Sequence, residues 1–201
     1  MPLPRYAVAL LVVSCLLLLQ GCWVYSVYPL AESDADLLFD KALPGNWMQE
    51  EAGCLITISR LAEERGYRLT YIAPNERKGE GCLLDAGKAA TFQAGLVEIG
   101  QNRFLDLFPV DRTLDHHALQ VHSFYRVSVD VRSLSLTPMN ADWLKEQIRS
   151  NAVPVAARQE NDDLILSSST RDLRTFLQAY GSNEQLFDPV RRLVFQRKLL
   201  P

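Results

Sequence analysis

The sequence predicts a mainly β protein of the α+β class. It reads as an antiparallel meander sheet curled toward a barrel, with a short N-terminal helix and two later helices. Three observations carry this. From Trp47 to Leu136, short runs alternate apolar and polar residues, with turn residues between them. The helical period enters only later, over residues 140–149 and 170–180. Strands and helices do not alternate along the chain, as a parallel sheet would require. Composition sets the outer bounds. The 201 residues are 48% hydrophobic and 22% charged, which suits one core. A net charge of −3 offers no cationic footprint for nucleic acid. Ten glycines and ten prolines exclude collagen-like and low-complexity chains. Four cysteines are too few for a disulfide scaffold.

The first element is not part of the fold. Arg5 is the only charged side chain before Glu32, and residues 7–19 form an apolar run of 13. A membrane-spanning helix needs about 20 such residues, so the run fits the core of a secretory signal. It ends Leu19-Gln20-Gly21-Cys22, which resembles the lipobox of bacterial lipoproteins. Gln20 departs from the small residue commoner at that position. The resemblance implies cleavage after Gly21, a signal peptide over residues 1–21, and fatty acylation of Cys22 with chains such as palmitate. The thiol is the nucleophile that accepts the lipid, and several chains on one residue anchor stably where one would not. Trp23 stands where lipoproteins retained in the inner membrane of enteric bacteria carry Asp. The resemblance therefore implies a place in the cell envelope, in the outer membrane facing the periplasm if the host is Gram-negative. Without residues 1–21, which hold one cation and no carboxylate, 180 residues with a net charge of −4 remain.

Residues 22–35 read as a lipidated tether, because Pro29 and Glu32-Ser33-Asp34 oppose a long regular element. A single β-rich domain is expected over 36–201. Residues 36–43 suggest a short helix, capped by Ser33 or Asp34 and broken by Pro44-Gly45. Residues 54–59 alternate Ile56 and Ile58 with Thr57 and Ser59, and 67–72 alternate Tyr67, Leu69 and Tyr71 with polar neighbours. Glu63 to Gly66 make the turn between them. Residues 73–88 are a polar loop. Strands over 90–99 and 103–108 flank a turn at Gly100-Gln101-Asn102. A loop covers 109–118, and strands follow over 119–127 and 132–136. Asn140 then caps a helix with Trp143, Leu144 and Ile148 on one face. Short strands at 155–158 and 164–167 flank the turn 159–163. Ser169 and Asp172 open a second helix, which Gly181 stops at C′. Residues 190–199 make a last strand or a docked extension.

Gly45-Asn46-Trp47, before the first barrel strand, resembles the G-x-W motif of lipocalins and other calycins. In that family the Trp packs across the closed end of an eight-stranded barrel, and an Arg near the last strand often stacks over it. The resemblance implies a lipocalin-like barrel, with Arg191, Arg192 or Arg197 as the stacking residue. The helix at 140–149, between strands, departs from the lipocalin plan. The whole chain is similar to small bacterial lipoproteins without an assigned activity, in which a lipobox, a short entry helix and a G-x-W precede a β-rich domain.

With Cys15 in the signal and Cys22 lipidated, Cys54 and Cys82 remain. Export to an oxidising compartment makes a disulfide between them the expectation, set against two reduced thiols. It would close a loop of 28 positions and stabilise the fold by about 3 kcal/mol on the loop-entropy model. Catalytic chemistry is not visible. Asp111, Asp115, His116, His117 and His122 cluster in sequence, but their spacing fits neither a helical nor a strand metal motif, so no metal site is assigned. Ser167 to Thr170 lack a G-x-S-x-G and read as a strand end and helix cap. Asp36 with Asp40, Glu50 with Glu51, and Asp162 with Asp163 lie in polar segments as solvated charge. Gly79-Glu80-Gly81 is not a phosphate loop. Trp143 reads as a core anchor, and Arg191, Arg192, Arg197 and Lys198 as a basic C-terminus. The chain is therefore expected to be neither an enzyme nor a cofactor protein. Two functions are open. One is a barrel holding a small hydrophobic ligand, which needs an enclosed apolar pocket of about 300 Å³ or more. The other is a structural or assembly lipoprotein that binds another envelope protein.

Overall fold

Side-chain alternation sorts the strands of this chain into an inner and an outer face. A computed structural model describes residues 23–61, 65–75, 82–110 and 120–198. The first strands are β1 (Val24–Ser26), β2 (Gly45–Met48), β3 (Leu55–Arg60), β4 (Tyr67–Ile72), β5 (Ala89–Ile99) and β6 (Asn102–Pro109). Then come β7 (His122–Val129), β8 (Ser133–Pro138), β9 (Ala157–Glu160), β10 (Asp163–Leu166) and β11 (Leu193–Arg197). The helices are α1 (Ala141–Arg149) and α2 (Thr170–Tyr180).

Strands β2 to β8 each pair antiparallel with the next, and β11 pairs antiparallel with both β8 and β2. The eight strands close into a barrel, so none of them is a free edge. Order around the barrel follows order in the chain. The segment carrying α1, β9, β10 and α2 is inserted between the seventh and eighth barrel strands. The expected antiparallel meander is present and closes on itself, with the two expected later helices in the insertion.

The alternating stretches behave as their patterns require. Ile56 and Ile58 of β3 and Tyr67, Leu69 and Tyr71 of β4 enter the barrel core, while Thr57, Ser59 and Arg68 are exposed. A slip of one residue would reverse these faces, so the apolar pattern fixes the register. β5 and β6 pair from Phe92↔Pro109 to Ile99↔Asn102. Gly100 closes their two-residue hairpin at φ +64°, a backbone state that glycine adopts without strain.

β6 and β7 break the alternation, because both of their faces are covered. Leu105, Leu107, Tyr125 and Val127 belong to the barrel core, whereas Phe104 and Phe124 belong to a second core outside it. That second core includes Val97 of β5, Leu144 of α1, Leu166 of β10, and Leu173 and Phe176 of α2. The amphipathic helices thus bury their apolar stripes on the outer wall of β5–β7. Asn140 caps α1 by accepting from Trp143 N at 3.1 Å, and Ser169 caps α2 by accepting from Asp172 N at 3.3 Å.

Three expectations are corrected. Residues 36–43 do not form a helix. Asp34–Asp36 makes one 3-10 turn, after which Leu37 bridges to Val97 and Leu38 N donates to Leu96 O at 2.8 Å. β4 pairs β5 only as far as Ala94. The open edge beyond it offers hydrogen bonds that outweigh the helical preference of a short segment. The tether reading fails at residues 23–30, with Cys22 outside the described residues. β1 pairs in parallel with β10 and antiparallel with β7, and Leu30 is fully buried. Gly181 keeps right-handed geometry, φ −60°. It is small because a Cβ would collide with Leu177 O and meet the Phe104 ring at 3.1 Å.

Candidate functional site at the open end of the barrel

The meander gives the barrel two unlike ends. One carries the β3–β4, β5–β6 and β7–β8 turns, the start of β2 and the end of β11. The other carries the β2–β3, β4–β5 and β6–β7 connections.

The first end is closed by Trp47. Its side chain is fully buried, and its Nε1 donates to Leu43 O at 3.0 Å. The Arg197 guanidinium lies 4.1 Å above the ring. It donates to Val131 O at 2.7 Å, to Pro44 O at 3.0 Å and to Ala42 O. Gly45 makes room for it: φ is +149°, and a Cβ there would collide with Arg197 Nη1. Among the three candidate arginines, Arg197 is the one stacked on Trp47. Arg191 instead lies 3.9 Å over Trp23, and Arg192 is exposed.

The second end is roofed. The Cys54–Cys82 disulfide joins the β2–β3 connection to the β4–β5 loop, with Cα atoms 5.8 Å apart. Leu83 and Leu84 follow at once, and Leu83 N donates to the Tyr71 hydroxyl at 2.8 Å. Beneath this roof is an apolar cavity of about 50 Å³, bounded by Ile56, Leu69, Phe92, Leu107 and Tyr125 among others. Ser123 also lines it, and burial raises the Tyr125 phenol above its ordinary pKa. The hydroxyls are few and the walls apolar, so the site suits the end of an apolar chain. Its volume is about a sixth of the roughly 300 Å³ at which ligand pockets begin. The inner face is otherwise filled by its own side chains, as small barrels require.

The remaining sequence candidates are dispersed. The lipobox, Gly79-Glu80-Gly81, and Asp111, Asp115, His116 and His117 lie outside the described residues. No group of three or more metal-ligating side chains occurs among the described residues. His122 has a different partner: its Nδ1 lies 2.7 Å from Asp106 Oδ1, and Asp106 Oδ2 accepts from Leu30 N at 2.8 Å. This buried node fastens the N-terminal segment to the outer wall. Ser168 accepts from Ala156 N at 2.7 Å, as a strand-end contact. Asp40 pairs with Arg103 at 2.6 Å, and Asp163 accepts from Trp23 N at 2.8 Å.

Sequence reasoning missed the roof and the Asp106–His122 node. The roof left one signal, an apolar Leu83-Leu84 pair directly after a cysteine in an otherwise polar loop. The node left none, because Asp106 sits 16 residues from His122 and meets it only through β6–β7 pairing. Compared with known proteins, the chain matches no family model, no curated protein and no solved structure.

Proposed function

We propose that this chain is an exported lipoprotein, cleaved behind Gly21, acylated on Cys22 and held in the cell envelope. In a Gram-negative host it would sit in the outer membrane facing the periplasm, since Trp23 follows the cysteine. Its lipocalin-like barrel takes the end of a small hydrophobic ligand at the open end. The observation that carries the ligand reading is the apolar cavity beneath Leu83 and Leu84, hinged on the Cys54–Cys82 disulfide. A ligand larger than a few carbons enters only if this roof moves, because the resting volume is too small. The C22S variant should lose fatty acid by mass spectrometry and leave the membrane fraction. A screen of fluorescent fatty acids and hydrophobic dyes should find a binder, and L83S should change its affinity while the barrel still melts cooperatively. A screen without any binder sinks the ligand reading.

A second reading has its own observation. Because the barrel is nearly filled, the chain would instead act as a structural or assembly lipoprotein that binds another envelope protein through its surface. Cross-linking in membranes followed by pulldown should then recover one recurrent partner. Recovery of the chain alone under every condition counts against it.

A further inference from the structure

We propose that the open end of the barrel docks on the lipid bilayer, with its exposed aliphatic side chains at the hydrocarbon boundary. The proposal rests on the lipid-anchored reading above and adds an orientation to it. Nine large apolar side chains are exposed among the described residues. Topology places five of them at the open end. Ile72 ends β4, Leu83 is in the roof, and Val110 follows β6. Val190 precedes β11, and Tyr28 follows β1, whose Ser26 pairs with His122 at the start of β7. These five are 39–92% exposed. Of the other four, Val131 is in the β7–β8 turn of the closed end, Phe39 stacks on Tyr67 beside the β3–β4 turn of that end, and Leu38 and Val194 lie along the barrel wall. Scattered apolar residues on a surface are ordinary; five gathered on one end are a candidate contact surface.

The place of the anchor argues for a bilayer rather than a protein as occupant. Trp23 is the residue after the expected lipidation site, and it is held firmly. Its N donates to Asp163 Oδ1 at 2.8 Å, Leu164 N donates to its carbonyl at 2.8 Å, and Arg191 covers its ring. Val24 packs into the outer core and Trp23 against the barrel core. β1 takes the place beside β7 that β8 vacates: Tyr125 pairs with Pro138, the last residue of β8, and Ser123 pairs with Tyr25, so Trp23 stands where β8 ends. Trp23 therefore stands beside the open end, one residue from the expected lipidation site. Tethering at that point raises the local concentration of bilayer at the five side chains. Charge does not drive the contact. Among the described residues, Glu50, Glu51, Asp85 and Asp188 stand at this end against Lys88, Arg191 and Arg192. The docking should therefore be almost insensitive to salt. With the mouth against the membrane, an apolar chain passes from bilayer to barrel without crossing water.

Depth-dependent quenching tests this on the full chain, purified with its lipid. It is reconstituted in vesicles of phosphatidylethanolamine and phosphatidylglycerol, with or without phosphatidylcholine carrying dibrominated acyl chains. Leu83→Trp and Ile72→Trp place reporters at the open end, and Val131→Trp places one at the closed end. Each is read as quenching in excess of the parent chain. The expected result is a loss of emission at Leu83→Trp and Ile72→Trp, none at Val131→Trp, and no change with salt. Ile72 is on the outer face, so its variant keeps the test valid if Leu83→Trp misfolds. Quenching at Val131→Trp equal to that at the open end overturns the proposal. So does vesicle-bound protein with neither open-end reporter quenched. That result, with a cross-linked dimer or another protein covering the open end, replaces the bilayer as occupant and leaves the anchor reading standing. A chain with no fatty acid on Cys22 that stays out of the vesicle fraction fails the anchor reading, and the orientation falls with it.

Discussion

Arg197 shows what one residue does at the closed end. Its guanidinium covers Trp47 and donates to three backbone carbonyls from two segments, those of Ala42 and Pro44 before β2 and of Val131 in the β7–β8 turn. It therefore locks the strap before β2, the β7–β8 turn and the last strand together. Removing it takes away a cation–π contact and leaves carbonyls unpartnered. R197A should cost about 2 kcal/mol of unfolding free energy in urea. R197K should recover little of this, because an ammonium has no planar fork to reach the same carbonyls. A midpoint unchanged in R197A would show the lock to be ornamental. Gly45 and Trp47 were legible in the sequence as a motif. The arginine was not, because its choice depends on which side chain β11 turns toward the indole. Asp106 is the opposite case. Nothing in its neighbours marks it, yet it is buried and holds both His122 and Leu30 N.

At the scale of elements, local patterns predicted most strands because each barrel strand has one apolar face. They failed where an element has a tertiary partner on its edge. Leu37 and Leu38 became an extended strap because β5 outruns β4. Residues 24–26 became a strand because β10 and β7 lie beside them. The β7–β8 turn is local and carries a prediction of its own. Asp130 accepts from Arg132 N at 2.6 Å, Ser133 N at 2.7 Å and Ser133 Oγ at 2.9 Å. The backbone amides of Arg132 and then Ser133 hold its carboxyl below the usual carboxylate range. A depressed folded pKa gives stability that is present above the unfolded value, about 4, and lost as pH falls through the folded one. Stability should therefore decline more steeply below about pH 4 in the parent chain than in D130N, followed by urea midpoints. Parallel acid limbs in the two proteins would refute this.

On the scale of the molecule, two cores share one wall. The barrel core lies inside β5–β7, and the helices α1 and α2 build the second core outside them. Sealing the barrel is less uniform. β5 and β6 pair over eight positions, but among the described residues β11 pairs with β2 at Gln196↔Met48 and Arg197↔Trp47, with one more bond from Lys198 N to Asn46 O at 2.8 Å. The β2–β11 seam should be the barrel's weakest join. Native-state hydrogen exchange should give the lowest protection among barrel strands to β2 and β11, and the highest to β5 and β6. Uniform protection around the barrel would contradict this. The same unevenness places the disulfide sensibly: it ties two connections at the open end, where strand pairing has stopped.

The sequence by itself determined the class of fold and the sorting of residues between faces. Alternation at Ile56, Ile58, Tyr67, Leu69 and Tyr71 is a local property, as are the caps at Asn140 and Ser169. The cysteine pair was also legible, since Cys54 and Cys82 are the two thiols left on the expectation of a signal peptide and an acylated Cys22. Closure of the barrel, the choice of Arg197, the Leu83-Leu84 roof and the docking of Trp23 beside it were decided only in three dimensions. Each joins residues far apart in the chain, and no local period records such a meeting. The size of the cavity belongs to the same group. It is the difference between the space enclosed by eight strands and the volume of the side chains within, which no single element determines.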